Sequence, residues 1–363
     1  MRRALSIPLL LCGLLIGCRG ARVPAAEVSF AVTRPAACAQ VAAGTDLSQL
    51  LRESAPGAAL CLQPGVYAGP LLIDRGQTVY GPRDAIVRSS GQGTTVRLLG
   101  KGARLAGLTV DGSGARYDKT DAGVHLQGED LEVVGVRVRG AVFGVVVDRC
   151  ARALLRGNEI IGTGDSALGL RGDAIRLWES KDSTVEDNVV RSSRDVVLRY
   201  TTRTTLRRNR MSGGRYGIHL MYSQGAQIED NRSVGNVVGL FLMYSREVSV
   251  RRNLLAASIG AAGMGLGLKE SGDVQVTDNL ILRNSIGVYL DTAPLYLDQR
   301  NLFQRNAIRL SDVAVTFHSS QRHNRFLANS LRDNHTQVRV EGGGDALGTE
   351  WRGNDFDDYA GYD

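Results

Sequence analysis

Eight short segments between residues 174 and 341 share one alternation of apolar and polar positions: 174–178, 196–200, 217–221, 239–243, 265–269, 287–291, 314–318 and 337–341. A period of two sends successive side chains to opposite faces of a strand. One face is apolar throughout, with Ile175/Leu177, Ile218/Leu220, Leu240/Leu242, Leu266/Leu268, Val288/Leu290, Val315/Phe317 and Val338/Val340. The opposite face carries Arg176/Trp178, Val197/Arg199, His219/Met221, Phe241/Met243, Gly267/Lys269, Tyr289/Asp291, Thr316/His318 and Arg339/Glu341. A phrase ending Leu-Met-Tyr-Ser occurs at 217–223 and again at 239–245, an offset of 22 residues. A unit that short cannot close a core alone, so the repeat implies a stack in which each coil covers its neighbour. Strands of one column that all run the same way form a parallel sheet, and their connection is right-handed by strong default. The expectation is an all-β, right-handed parallel β-helix of about twelve coils, a rod on the order of 55–60 Å long at roughly 4.8 Å per coil.

The turns and ends agree with this reading. Asn158, Asn188, Asn209, Asn231, Asn253, Asn279, Asn301 and Asn324 recur at coil-length spacing, which predicts a ladder of stacked amides. From Leu62 to about residue 150, short β-rich phrases alternate with glycine turns and show no extended helical period. Before them, Thr45-Asp46 precedes Leu47, Leu50 and Leu51 on one side of a short amphipathic helix, suited to covering the first edge of the stack. Residues 45–363 thus read as a single domain, 19–44 as an Ala-rich linker and 1–18 as an export signal.

Composition narrows the class. The 363 residues exceed the usual limit for one core unless growth is one-dimensional, which repetition supplies. A net charge of +7 without any dense Lys/Arg run speaks for solubility and against nucleic acid as a partner. Arg2 and Arg3 followed by the apolar run from Ala4 to Ile16 form a secretory signal too short to remain as a membrane span. Leu15-Ile16-Gly17-Cys18 resembles a bacterial lipobox, so Cys18 is the expected lipidation site; cleavage near Ala25-Ala26 is the alternative. In an oxidising periplasm Cys38 and Cys61 are the expected disulfide, leaving Cys150 free.

The outward face holds the candidate chemistry. Large apolar, aromatic and cationic side chains in register across several coils point to a surface covered by another molecule, or by a loop of the same chain such as 293–300 or 259–264. Met221 and Met243 stand one coil apart, about 4.8 Å between backbones, with His219 beside Met221 on the same face. Thioether and imidazole are soft donors suited to Cu(I), so His219, Met221 and Met243 are the candidate metal ligands and copper the candidate cofactor. Arg176, Trp178, Arg199, Phe241, Lys269, Tyr289, Asp291 and His318 form the candidate partner-binding surface. A polysaccharide lyase, epimerase or hydrolase is the alternative on this fold, with His219, Lys269, Tyr289 and Asp291 as its acid/base groups. Paired carboxylates are missing from this face, which weighs against it.

The phrases Gly172–Trp178, Arg194-Asp195, Arg215–Tyr222, Gly239–Ser245, Gly263–Gly272, Gly287–Asp291, Phe317-His318 and Trp351–Asp363 resemble the NosD family of nitrous oxide reductase maturation proteins over roughly 60–363. Within it, Arg215, His219, Met221 and Tyr222, then Met243 and Tyr244, match a family phrase, and Trp351–Asp363 matches the closing motif. The resemblance implies a non-enzymatic periplasmic protein of the β-helical carbohydrate-binding and sugar-hydrolase-like group. It implies as partners an ABC-type ATPase with its membrane subunit, a copper chaperone lipoprotein and nitrous oxide reductase, whose copper–sulfide centre it helps to assemble. It carries over no metal ligands, so the copper site rests on the residue chemistry alone. The apparent lipobox departs from relatives that look like ordinary exported proteins; here it implies tethering to the membrane, by the lipid or through the membrane subunit.

Overall fold

The computed structural model describes residues 30–319 and 322–359, so Cys18 and the signal segment 1–18 lie outside the described residues. The chain winds as a right-handed parallel β-helix, each coil giving one strand to each of three sheets of 14, 12 and 13 strands. The outward face singled out by the sequence belongs to the 12-stranded sheet. Its seven central strands are Ile175–Trp178, Asp195–Arg199, Tyr216–Met221, Val238–Met243, Met264–Lys269, Ile286–Asp291 and Val313–His318.

Alternation decides what is inside. Leu177, Leu198, Leu220, Leu242, Leu268, Leu290 and Phe317 are paired in register from coil to coil and are all 0% exposed. The column fails at its last member. Val338 and Val340, placed inside by their alternation, are 37% and 40% exposed, because their strand is the last of its sheet and nothing stacks beyond it.

The first coil is closed as the helix signal predicts. The helix Leu47–Glu53 is capped by Asp46, whose side chain accepts from the Gln49 N–H at 2.9 Å, and it buries Leu47 and Leu51. The stack starts earlier than the sequence indicates: Ala39–Val41, inside the stretch assigned to a linker, pairs with Ala59–Leu62 as the outermost strand of the 14-stranded sheet. Cys38 and Cys61, with Cα atoms 5.7 Å apart, form a disulfide that ties this strand to the next coil. Cys150 is free and buried, and burial pushes its thiol up to about 11.

A buried amide ladder runs through Asn158, Asn188, Asn209, Asn231, Asn253 and Asn279. In each rung the backbone N–H and the side-chain amide both donate to the next Oδ1, as Asn209 does to Asn231 at 3.0 Å. Asn231 Nδ2 also reaches back to the Leu206 carbonyl at 2.9 Å, so the rung links three coils. The ladder then passes to Asn306, Asn329 and Asn354, not to Asn301 and Asn324 as even spacing implies. The longer turn between Asp291 and Asn301 stretches that coil to 27 residues, and Asn301 and Asn324 pair in a separate, shorter ladder. An unpaired buried amide costs about 1–3 kcal/mol, so the ladder holds the register of coils of unequal length.

Candidate metal centre

On the outward side of this sheet Met221 lies opposite Met243 and His219 opposite Phe241, with both methionines half-buried. The closest contact among these groups is diagonal: His219 Nε2 lies 3.2 Å from Met243 Sδ on the following coil. The imidazole is 6% exposed and Phe241 9%, far more covered than an open sheet face would leave them. Their cover is local. The Tyr216 ring packs against His219, tilted by 32° with centroids 4.4 Å apart, and lies 5.9 Å from Phe241. Tyr216 is itself fixed, with the Arg215 guanidinium 4.8 Å from its ring and its backbone N–H donating to Asp195 at 3.1 Å. Asp195, 3% exposed, also accepts from Arg215 Nε at 3.1 Å.

Strict alternation would send Tyr216 inward with Ile218. Gly217 breaks the parity. A side chain there would put its Cβ 2.0 Å from the buried Ser233 hydroxyl, so Gly217 and Ile218 both face the core and Tyr216 emerges beside His219. Two coils on, Met264 holds the position in register with Tyr216, through Val238, and is half-buried on the same face. A second close approach shapes the floor. A Cβ on Gly267 would lie 2.2 Å from two Phe241 ring carbons and 3.1 Å from Met264 Sδ, so the ring occupies the space that any larger residue would need. Gly267→Val should therefore displace Phe241 and disorder this patch while the core, which it does not touch, keeps its melting temperature within a few degrees. Near-ultraviolet circular dichroism against the thermal midpoint checks this.

The electrostatics keep the imidazole neutral. Burial is the main cause that pushes His219 down to about 4, reinforced by Arg215 and Arg199 and opposed by Asp195. A neutral ring keeps one nitrogen free of a proton, and Nε2 is the nitrogen that faces the sulfur. Among the described residues no three His, Cys, Asp or Glu side chains come together, so a metal centre of hard or thiolate donors is not built here. The donors that do converge are soft, one imidazole nitrogen and one thioether in contact, with Met221 in register beside Met243; this set fits a cuprous ion.

The remaining residues singled out by sequence fall on either side. Trp178 lies between two guanidinium groups, Arg176 at 5.2 Å and Arg199 at 4.9 Å from its ring, and Arg199 pairs in register with Met221. On the C-terminal side Lys269 Nζ bridges Asp291 Oδ2 at 3.2 Å, and Tyr289 and His318 lie 6.2 Å apart. The loop segments 293–300 and 259–264 leave Tyr296, Leu297 and Ile259 62–77% exposed. Tyr216 and Met264 are the site residues that strand alternation misses; the glycine recurring at 217, 239, 265 and 287 is the signal that could have found them.

The fold is shared with solved β-helices at low identity. The catalytic unit of a GH87 α-1,3-glucanase from Streptomyces thermodiastaticus superposes with a TM-score of 0.68 at 16% identity, over 90% of this chain and 70% of that one. Polygalacturonase from Erwinia carotovora gives 0.56 at 12% identity, over 89% and 99%. These likenesses show the architecture alone. By sequence the chain is 29% identical over 136 residues to probable ABC transporter binding proteins NosD of Stutzerimonas stutzeri and Pseudomonas aeruginosa. Each match covers 37% of this chain and about a third of the relative. The family described as periplasmic copper-binding protein (NosD) matches residues 157–361, which include every strand that builds the patch around His219. The chain belongs to the NosD family.

Proposed function

We propose that this chain is a periplasmic, non-enzymatic accessory protein that receives copper as cargo and passes it on during assembly of the copper–sulfide centre of nitrous oxide reductase. In this reading it works with an ABC-type ATPase and membrane subunit and with a copper chaperone lipoprotein, and a lipid on Cys18 holds it at the membrane. The observation that carries the proposal is the contact of neutral His219 Nε2 with Met243 Sδ at 3.2 Å on the outward face. Soft, uncharged donors hold Cu(I) without a charge to neutralise, and a site of two or three such ligands can release it to a stronger one. The family description as periplasmic copper-binding and the relatives' naming as ABC transporter binding proteins support the same assignment.

The polysaccharide-enzyme reading has less to stand on. Asp291, the carboxylate that reading draws on, is engaged by Lys269 Nζ in an ion pair at 3.2 Å. The test is made in cells. His219→Ala combined with Met243→Ala should lower the copper content of the purified reductase several-fold while the variant accumulates at the wild-type level. Full loading with both donors removed would reject the site.

A further inference from the structure

We propose that the N-terminal part of the same outward face is a binding groove for an acidic peptide segment. Two adjoining depressions, of about 350 and 420 Å³, meet at Lys119, Thr120 and His125. Arg97, His125, Val146 and Arg176 form their floor in unbroken register over three coil steps, and the 112–121 loop raises Lys119 as a wall. This proposal does not depend on the soft-donor reading of His219.

Many of the chain's arginines are paired coil to coil, with Arg152 on Asp130, Arg203 on Asp182, Arg208 on Asp187, Arg252 on Asp230 and Arg305 on Asp278, all at 2.6–2.8 Å. Among the described residues Arg97, Lys119 and Arg176 make no salt bridge to any carboxylate. Arg149 is paired with Asp148 at 3.0 Å, and His125, held down by burial and by Arg97 and Arg149, adds no charge at neutral pH. The lining sets four cations, Arg97, Lys119, Arg149 and Arg176, against two carboxylates, Asp121 and Asp148, and this net positive concave floor attracts an anion of matching spacing. Arg97 and Arg176 are three strands apart, about 14 Å, which four residues of extended chain span. An extended segment with Glu or Asp four apart could thus engage both guanidinium groups.

An acidic glycan fits less well. Sugar rings bind on open aromatic faces, and the one tryptophan at this groove has guanidinium groups within about 5 Å of its ring from both Arg176 and Arg199 and the edge of Tyr200 against it.

Fluorescence anisotropy of a labelled octaglutamate peptide with the full chain tests the groove. Saturable binding that weakens as salt rises is expected, with at least a tenfold loss in Arg97→Gln/Lys119→Gln/Arg176→Gln. A control, Arg210→Gln/Arg232→Gln/Arg283→Gln, removes equal charge from other parts of the surface and should bind within about twofold of the parent. Lys119→Gln alone, on an exposed loop, should cost about threefold if the triple variant melts early. Absent binding, equal loss in the control, or tighter binding of an oligogalacturonate of the same charge would each overturn the proposal.

Discussion

Replacing Leu220 by Asp should leave no folded protein. Leu220 sits at the middle of the inward column, 0% exposed, in register with Leu198 before it and Leu242 after it. Truncation of such a leucine costs about 2–5 kcal/mol. A carboxyl group in that position must either ionise without a partner or take up a proton, raising its pKa by roughly 3–5 units, which at neutral pH adds about 4 kcal/mol. The sum is comparable with the whole stability of an ordinary domain. In a solenoid the loss is not confined to one coil, because each coil covers its neighbours and the amide ladder at Asn209, Asn231 and Asn253 runs through the same stretch. Met221→Asp, one position on and half-buried on the outward face, is the matched control and should retain β-sheet circular dichroism and a cooperative transition. If both variants fold, or both fail, alternation does not set the inside and outside of this sheet.

That dependence on alternation also explains how much of the molecule is legible in the chain. Inside and outside follow from a period of two that Leu177, Leu220, Leu242 and Leu268 repeat without error, because a strand buried on one face admits no slip. The sites where the pattern misleads share another cause: they depend on neighbours in space. Val338 and Val340 have the inward pattern, yet their exposure is set by the absence of a following strand. Asn301 continues the spacing of the ladder, yet the true rung is Asn306 because a turn elsewhere in the coil is longer. At the candidate site the strand register of Met221 and Met243 follows from the repeated phrase, whereas the diagonal approach of His219 to Met243 depends on side-chain packing. Tyr216 belongs to the site because a side chain at Gly217 would meet Ser233, a contact between residues 16 apart that no local periodicity contains.

Cuprous ion affinity of the purified chain should stay level from pH 8 to about 5 and fall only as the pH approaches 4. A proton competes with a soft metal for the imidazole nitrogen, so the His-dependent part of binding fails where the folded ring titrates. Burial has moved that point down from 6.5 to about 4. The same displacement makes a separate prediction for the metal-free protein. The unfolded chain takes up a proton near 6.5 that the folded chain refuses until about 4, so the stability contribution is intact above 6.5 and is lost as the pH falls through that window, by about 3 kcal/mol. His219→Ala should remove both effects together, leaving weaker and pH-independent binding by thioethers and a shallower decline of melting temperature between pH 6.5 and 4. Chelator competition under anaerobic reduction and thermal unfolding, each followed across that range, measure the two quantities independently. A binding midpoint near 6.5 would place the metal on an exposed histidine, and unchanged affinity in His219→Ala would remove the imidazole from the ligand set even if the stability profile behaved as expected.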